Sequence, residues 1–205
     1  MTAGQGAALL IDLGGVLVAD KLPAAAAKWA ARLRISERDF IAAVYDGNDE
    51  QVLIGRMSNA EWWALVGERL GLDEASVSEV RADLAARPEW DEELLAAVAG
   101  LRGRARTAFV SNAWPDARPN LADRLGAADA AVLSCEVGFA KPDPRIYTHT
   151  LELLGATAAG SLFVDDMTAN VEAARELGMS GHVHTDTAGT LAALEAFAAS
   201  LPGGH

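Results

Sequence analysis

From about Pro88 to the end of the chain, short apolar strands alternate with helices, and no other feature constrains the fold as tightly. A helix is expected from about Glu89 to Leu101, a strand over Thr107 to Val110 and a helix near Pro119 to Leu125. A strand follows over Ala130 to Leu133, then a helix between about Pro144 and Leu154. The run Ser161-Leu162-Phe163-Val164 reads as a buried strand, followed by a helix from about Ala169 to Leu177. A last strand around His182-Val183-His184 leads into a C-terminal helix. Such alternation predicts a parallel sheet covered on both faces by helices, a Rossmann-like α/β core. Ahead of it, the apolar run Ala7 to Ile11 predicts one more buried strand, ending at Asp12 and followed by a tight turn at Gly14-Gly15.

Between these parts the pattern changes. From about Leu22 to Arg87, alanine, leucine, arginine and glutamate dominate, and apolar residues recur at helical spacing. Ser36 and Ser58 each precede an acidic first turn, as N-caps do. The expected organisation is therefore an α/β core from residues 1–19 and 88–205, interrupted by a small all-helical cap domain over 20–87.

In open sheets of this kind, ligands sit outside the carboxyl ends of the strands. Four predicted strands end in polar residues or lead into them: Asp12; Ser111-Asn112; Ser134, followed by Gly138 to Pro142; and Asp165-Asp166. A carboxylate followed at once by glycines can expose its oxygens, and the neighbouring backbone N–H groups, Gly15 included, can point at an anion. Asp165-Asp166 would repel Asp12 unless a cation lies between them. Three carboxylates offer the hard oxygen ligands that magnesium prefers. Lys141 adds a fixed positive charge and Ser111 a hydroxyl donor. Together these suit phosphoryl transfer by positioning and charge stabilisation, with aspartate as a chemically reasonable nucleophile.

Composition narrows the partners. Hydrophobic residues make up 51% of the 205, ample for a packed core. Acidic residues outnumber basic ones 29 to 17, for a formal net charge of -12. Such a chain gains nothing from counterion release on nucleic acid and does not suit an anionic membrane surface. A small anionic substrate is compatible if a metal or local cations reverse the field inside a cleft. The single cysteine, Cys135, excludes an internal disulfide and a CxxC site. That fits a reducing cytoplasm, as does the lack of a basic segment followed by an apolar run at the N-terminus.

The motifs carry a family resemblance. Ile11-Asp12-Leu13-Gly14-Gly15-Val16-Leu17 resembles the first motif of the haloacid dehalogenase superfamily, and Val110-Ser111-Asn112 the second. Gly138 to Tyr147 resembles the third, and Phe163-Val164-Asp165-Asp166, with Asn170 and Gly178 following, the fourth. The pattern is similar to the branch containing alpha-glucose-1-phosphate phosphatase and the phosphatase-like domain of soluble epoxide hydrolase. The resemblance implies a magnesium-dependent phosphatase acting on a phosphorylated small metabolite such as a sugar phosphate. Asp12 would attack phosphorus and bind magnesium, with the Gly14 carbonyl, Asp166 and Asp165 completing the metal site. Ser111 and Asn112 would bind phosphoryl oxygens, and Lys141 would hold the transferring group. The helical insert would be the mobile cap.

One position departs from the pattern. Most phosphatases of the superfamily carry a general acid–base aspartate two residues after the nucleophile, and here that residue is Gly14; Asp20 is a possible replacement. Dehalogenases of the superfamily also lack that aspartate but do not usually keep the acidic pair. Two other functions therefore stand beside the phosphatase: a hydrolytic 2-haloacid dehalogenase, which would not need magnesium, and a non-catalytic relative binding a phosphorylated ligand or a protein. Trp114 is expected either to face substrate or to pack, Trp62 and Trp63 to form the core of the cap, and His182 and His184 to pack at a sheet edge. Cys135 is expected as a small buried strand-end residue.

Overall fold

The computed structural model describes residues 6–45, 49–84 and 89–201. Part of the boundary placed between residues 87 and 88, and the C-terminal Pro202 to His205, lie outside them.

Five parallel strands form one sheet: β1 (Ala8–Ile11), β2 (Arg106–Ser111), β3 (Ala130–Leu133), β4 (Leu162–Asp165) and β5 (Ser180–Val183), in the order β3-β2-β1-β4-β5. Strand β1 is central, with Ile11 opposite Phe109 on one side and Val164 on the other. All four of its residues are buried, as expected of a strand covered on both faces. Its side chains divide by period two. Leu9 and Ile11 join the core beneath α6 (Glu92–Gly100) and α11 (Thr187–Ser200), with Leu94, Val98, Leu194 and Phe197. Ala8 and Leu10 join the opposite core beneath α9 (Pro144–Leu154) and α10 (Thr168–Glu176), with Ile146, Tyr147, Leu151, Val171 and Ala174. The strand order reverses at β1, so its carboxyl end, where Asp12 stands, is the topological switch point at which such sheets bind ligands.

The insert is all helix among its described residues: α1 (Leu22–Leu33), α2 (Glu37–Tyr45), α3 (Asp49–Leu53), α4 (Asn59–Leu70) and α5 (Glu74–Leu84). It has its own core, built on Trp29, Phe40, Val44, Val52, Trp62, Trp63, Val66 and Val80. Full burial of a side chain such as Phe40 is worth about 1.5–3 kcal/mol, so this cluster is a substantial part of the insert's stability. Both expected caps form. Ser58 and Glu61 make a reciprocal capping box, and the Ser36 hydroxyl accepts from Asp39 N at 3.0 Å. Gly67 lets α4 approach α5, since a Cβ there would lie 2.7 Å from Val77 Cγ2.

The two chain segments that enter and leave the insert are zipped together. Ala19 N donates to Glu89 O and Asp91 N to Leu17 O, each at 2.9 Å, Val18 bridges Trp90 antiparallel, and Lys21 pairs with Glu89.

Two local details differ from expectation. The last strand is Ser180–Val183, shifted toward the N-terminus, because β5 takes its register from β4, where Val164 faces His182. Cys135 is not at a strand end. It is half-buried in a four-residue helix, α8 (Ser134–Val137), which forms where β3 stops and the Ser134 hydroxyl accepts from Ala113 N at 3.0 Å.

Candidate active site

The site is assembled from loops at the carboxyl ends of β1, β2 and β4 and from the segment that follows α8. After β1 the chain curls tightly: Leu13 O accepts from Leu17 N at 2.9 Å and Val18 N at 2.7 Å, and Gly15 takes a φ of +74. That left-handed conformation favours glycine, and so does the space available. A Cβ on Gly15 would lie 2.5 Å from Asp166 Oδ2. Gly14 is different, since a Cβ there would meet nothing within 4 Å.

Lys141 is the hub. Its side chain is 1% exposed, and its ammonium lies 2.7 Å from Asp12 Oδ1 and 2.6 Å from Asp165 Oδ2. One buried cation thus faces two buried carboxylates. Asp165 is fully committed: its other oxygen, Oδ1, accepts from Met167 N at 2.8 Å and Asn170 Nδ2 at 2.9 Å. Asn170 is held in turn by the Tyr147 hydroxyl, which donates to its backbone carbonyl at 2.9 Å. Asp166 is exposed at the end of the strand. Ligand oxygens of Asp12, Asp165 and Asp166 all lie within 4.8 Å of one another, so the three form a candidate divalent-cation site of hard oxygen donors. The carboxylate charge is strained by its surroundings. Burial pushes the Asp12 carboxyl up to about 6, helped by the nearby Asp165 charge and opposed by Lys141. Desolvation and then Asp165 also push Asp166 upward.

The remaining sequence-predicted residues fall into two groups. Asn112 is tied to Lys141, donating through Nδ2 to Lys141 O at 2.9 Å and accepting through Oδ1 from Lys141 N at 2.8 Å. Gly14, Ser111, Asn112 and Trp114 line a cavity of about 760 Å³ between the sheet edge and the helical insert. Trp114 does not stand alone there. Its ring centroid lies 5.6 Å from that of Tyr45, 6.1 Å from Trp62 and 5.9 Å from Trp63, joining the core to the insert. Trp62 and Trp63 are buried in the insert core, as expected. Asp20 lines the same cavity, but its Oδ1 accepts from Leu22 N at 2.8 Å at the start of α1. His182 and His184 both meet the Thr190 hydroxyl, at 3.1 and 2.8 Å.

Sequence reasoning did not assign roles to Asn170 and Tyr147, nor to Arg81, Tyr45 and Leu53, which line the cavity from the insert. The spacing of Asn170 after Asp165-Asp166 was a usable signal for the first. Nothing in a run of amphipathic helix distinguishes Arg81 from its neighbours.

The signature of haloacid dehalogenase-like hydrolases matches residues 7–178, spanning Asp12, Lys141 and the acidic pair. The chain belongs to that family. It is 28% identical over 207 residues to rat bifunctional epoxide hydrolase 2, a match covering 90% of this chain and 37% of the relative. The chain thus spans little more than a third of that relative's length. The fold is shared with a HAD family enzyme from Bacteroides thetaiotaomicron solved with magnesium and inorganic phosphate. That likeness has a TM-score of 0.71 at 24% identity and covers 87% of this chain and 94% of that one. It is also shared with an L-2-haloacid dehalogenase from Xanthobacter autotrophicus carrying covalently bound chloropropionic acid, with a TM-score of 0.62 at 20% identity and coverage of 96% and 84%. At such identities the structural likenesses speak for the hydrolase fold, and the site must be argued from its own residues. Among the described residues, no helix is long and apolar enough to cross a membrane.

Proposed function

We propose that this hydrolase is a magnesium-dependent phosphatase that removes the phosphoryl group from a small phosphorylated metabolite through an aspartyl-phosphate on Asp12. The observation that carries the reading is the placement of Lys141 between Asp12 and Asp165, with Asp166 beside them. A carbon-centred displacement of halide needs no such acidic cluster. A dianionic phosphoryl group meets a carboxylate nucleophile only if positive charge offsets both, and Lys141 together with a divalent cation held by the cluster would supply it.

The donor set fits magnesium. Asp12, Asp166 and the Gly14 carbonyl would hold it, and Asp165, whose two oxygens are already engaged, would contribute at most at longer range or through water. When bound, the ion supplies charge neutralisation for the approaching phosphate. The bound phosphate of the Bacteroides enzyme supports a phosphoryl substrate by analogy of fold.

The chain's own residues account for the rest. The Asp12 carboxylate forms the new O–P bond as the ester oxygen leaves. Lys141 holds the Asp12 carboxylate and offers its N–H groups to the phosphoryl oxygens. The Ser111 hydroxyl, at the end of β2, and the Gly14 N–H are the further donors to those oxygens; the Gly15 N–H, against expectation, is already given to Val18 O at 2.9 Å within the turn. Water then attacks phosphorus, which releases phosphate and regenerates Asp12. The helical insert, over residues 20–87, acts as a cap that closes the cavity against bulk water.

The test is phosphate release by purified protein from a panel of phosphorylated metabolites, with magnesium and with chelator. Magnesium-dependent turnover that disappears in Asp12→Asn is expected. Full turnover in chelator, or turnover that survives Asp12→Asn, would refute the proposal.

A further inference from the structure

The cavity has a chemical bias that the phosphoryl site does not use. From the core, Gly14, Ser111, Asn112 and Trp114 line it. From the insert come Tyr45, Leu53, Trp63, Leu84 and a single arginine, Arg81. Arg81 is exposed, and its guanidinium lies 5.8 Å from the centroid of the Trp63 ring, within cation–π range of that aromatic wall. No carboxylate lies within ion-pair distance of it among the described residues, although the chain carries an excess of acid. The other cation of the lining, Lys21, is paired with Glu89. The lining also holds two carboxylates, and both are engaged elsewhere: Asp20 accepts from Leu22 N, and Asp116 from Asn59 Nδ2 at 3.4 Å. An unpaired guanidinium on a largely apolar wall presents a planar fork of donors suited to an oxyanion.

We infer that Arg81 is a specificity-determining residue that binds a second anionic group, a carboxylate or further phosphate, on the organic part of the substrate. The inference rests on the phosphatase reading of the same site. The reacting phosphoryl group would lie at the strand ends, with the organic body against Trp63 and Trp114 and its second anion on Arg81. Neutral esters of the same shape would bind the same wall without that contact.

Two matched probes test this: para-carboxyphenyl phosphate and its neutral isostere para-carbamoylphenyl phosphate. A charge-assisted contact at an exposed arginine should favour the carboxylate by about five- to tenfold in kcat/KM. In Arg81→Gln that ratio should fall by about the same five- to tenfold, while Arg81→Lys should recover part of it, because charge without the planar fork is a weaker match. Comparing each ratio between proteins cancels the difference in leaving-group acidity. A second readout needs no turnover: quenching of tryptophan fluorescence by the products para-hydroxybenzoate and para-hydroxybenzamide. The native protein should bind the benzoate more tightly, and Arg81→Gln should lose that preference. An unchanged ratio and unchanged binding preference in Arg81→Gln would overturn the inference while phosphate release still upheld the phosphatase. Absence of phosphate release from every ester, with the benzoate preference intact and lost in Arg81→Gln, would instead overturn the phosphatase and leave the anion subsite standing.

Discussion

Asn112 and Lys141 exchange two hydrogen bonds: the Asn112 amide donates to Lys141 O at 2.9 Å and accepts from Lys141 N at 2.8 Å. Both ends of the amide are used on one backbone position. Asn112 therefore serves the site mainly by fixing where the Lys141 side chain begins, and so where its ammonium ends. The strand end of β2 and the loop before α9 are stapled together at the residue that carries the buried charge.

Asn112→Ala should remove both bonds and leave a backbone N–H and a carbonyl without partners. A stability loss of about 1–3 kcal/mol is expected, together with a fall in kcat larger than any change in KM. Denaturant unfolding and steady-state kinetics on one preparation measure the two effects. A change confined to KM would show that Asn112 contacts substrate and does not position Lys141.

Asp12 sets a pH dependence. Its carboxyl is raised from 3.8 to about 6 by burial, so the folded state holds the proton more tightly than the unfolded chain. Stability from this group is present below about 3.8 and is lost as pH rises through about 6. In chelator, Asp12→Asn should thus stabilise the protein near neutral pH more than in mild acid, as followed by thermal melts. Catalysis needs the ionised carboxylate, so activity should rise through the same interval. Magnesium should move that rise to lower pH, because a cation favours the charged form. An activity profile that falls as pH rises through that interval would contradict the assignment of Asp12 as nucleophile.

The two glycines after Asp12 should respond in opposite ways. Gly15→Ala combines a φ of +74 with a Cβ placed 2.5 Å from Asp166 Oδ2, so it should displace that carboxylate and weaken magnesium binding severely. Gly14→Asp faces open space and should fold normally. A positioned acid contributes roughly 10²–10⁴-fold, so the native enzyme should prefer esters with acidic leaving groups, and Gly14→Asp should flatten that preference. A leaving-group series run on both proteins decides it. If the native enzyme shows no such dependence, another residue supplies the proton, and Asp20→Ala would show whether Asp20 is that residue.

Magnesium should stabilise the native protein by mass action, by about 2.7 kcal/mol at a hundredfold excess over its dissociation constant. Asp166→Asn should lose most of that response, because Asp166 is the exposed member of the acidic cluster and, unlike Asp165, makes no ion pair among the described residues. Thermal shift against magnesium concentration measures this. An undiminished shift in Asp166→Asn would place the metal elsewhere.

Much of this molecule was readable from periodicity and strand ends. The alternation after Pro88 foretold the parallel sheet, and Asp12, Ser111 and Asp165 do stand at the carboxyl ends of β1, β2 and β4. Ser36 and Ser58 were readable because capping is local, using groups three residues apart. Boundaries set by pairing were not. The register of β5 follows from β4, and α8 follows from a hydroxyl reaching across to Ala113.

The division of labour at the site is of the second kind. The sequence places Asp165 and Asp166 side by side with identical chemistry. A strand directs successive side chains to opposite sides, so one carboxylate turns inward to Lys141 and Asn170 while the other faces the open edge. Likewise the sequence supplies Trp114, Trp63, Tyr45 and Arg81 as unrelated residues, and the docking of the insert against the sheet makes them one wall. Local pattern determined which elements form and which polar residues end them, because those depend on near neighbours. Only the tertiary structure decided which carboxylate meets the lysine and which arginine meets the cavity, because those contacts join segments far apart in the chain.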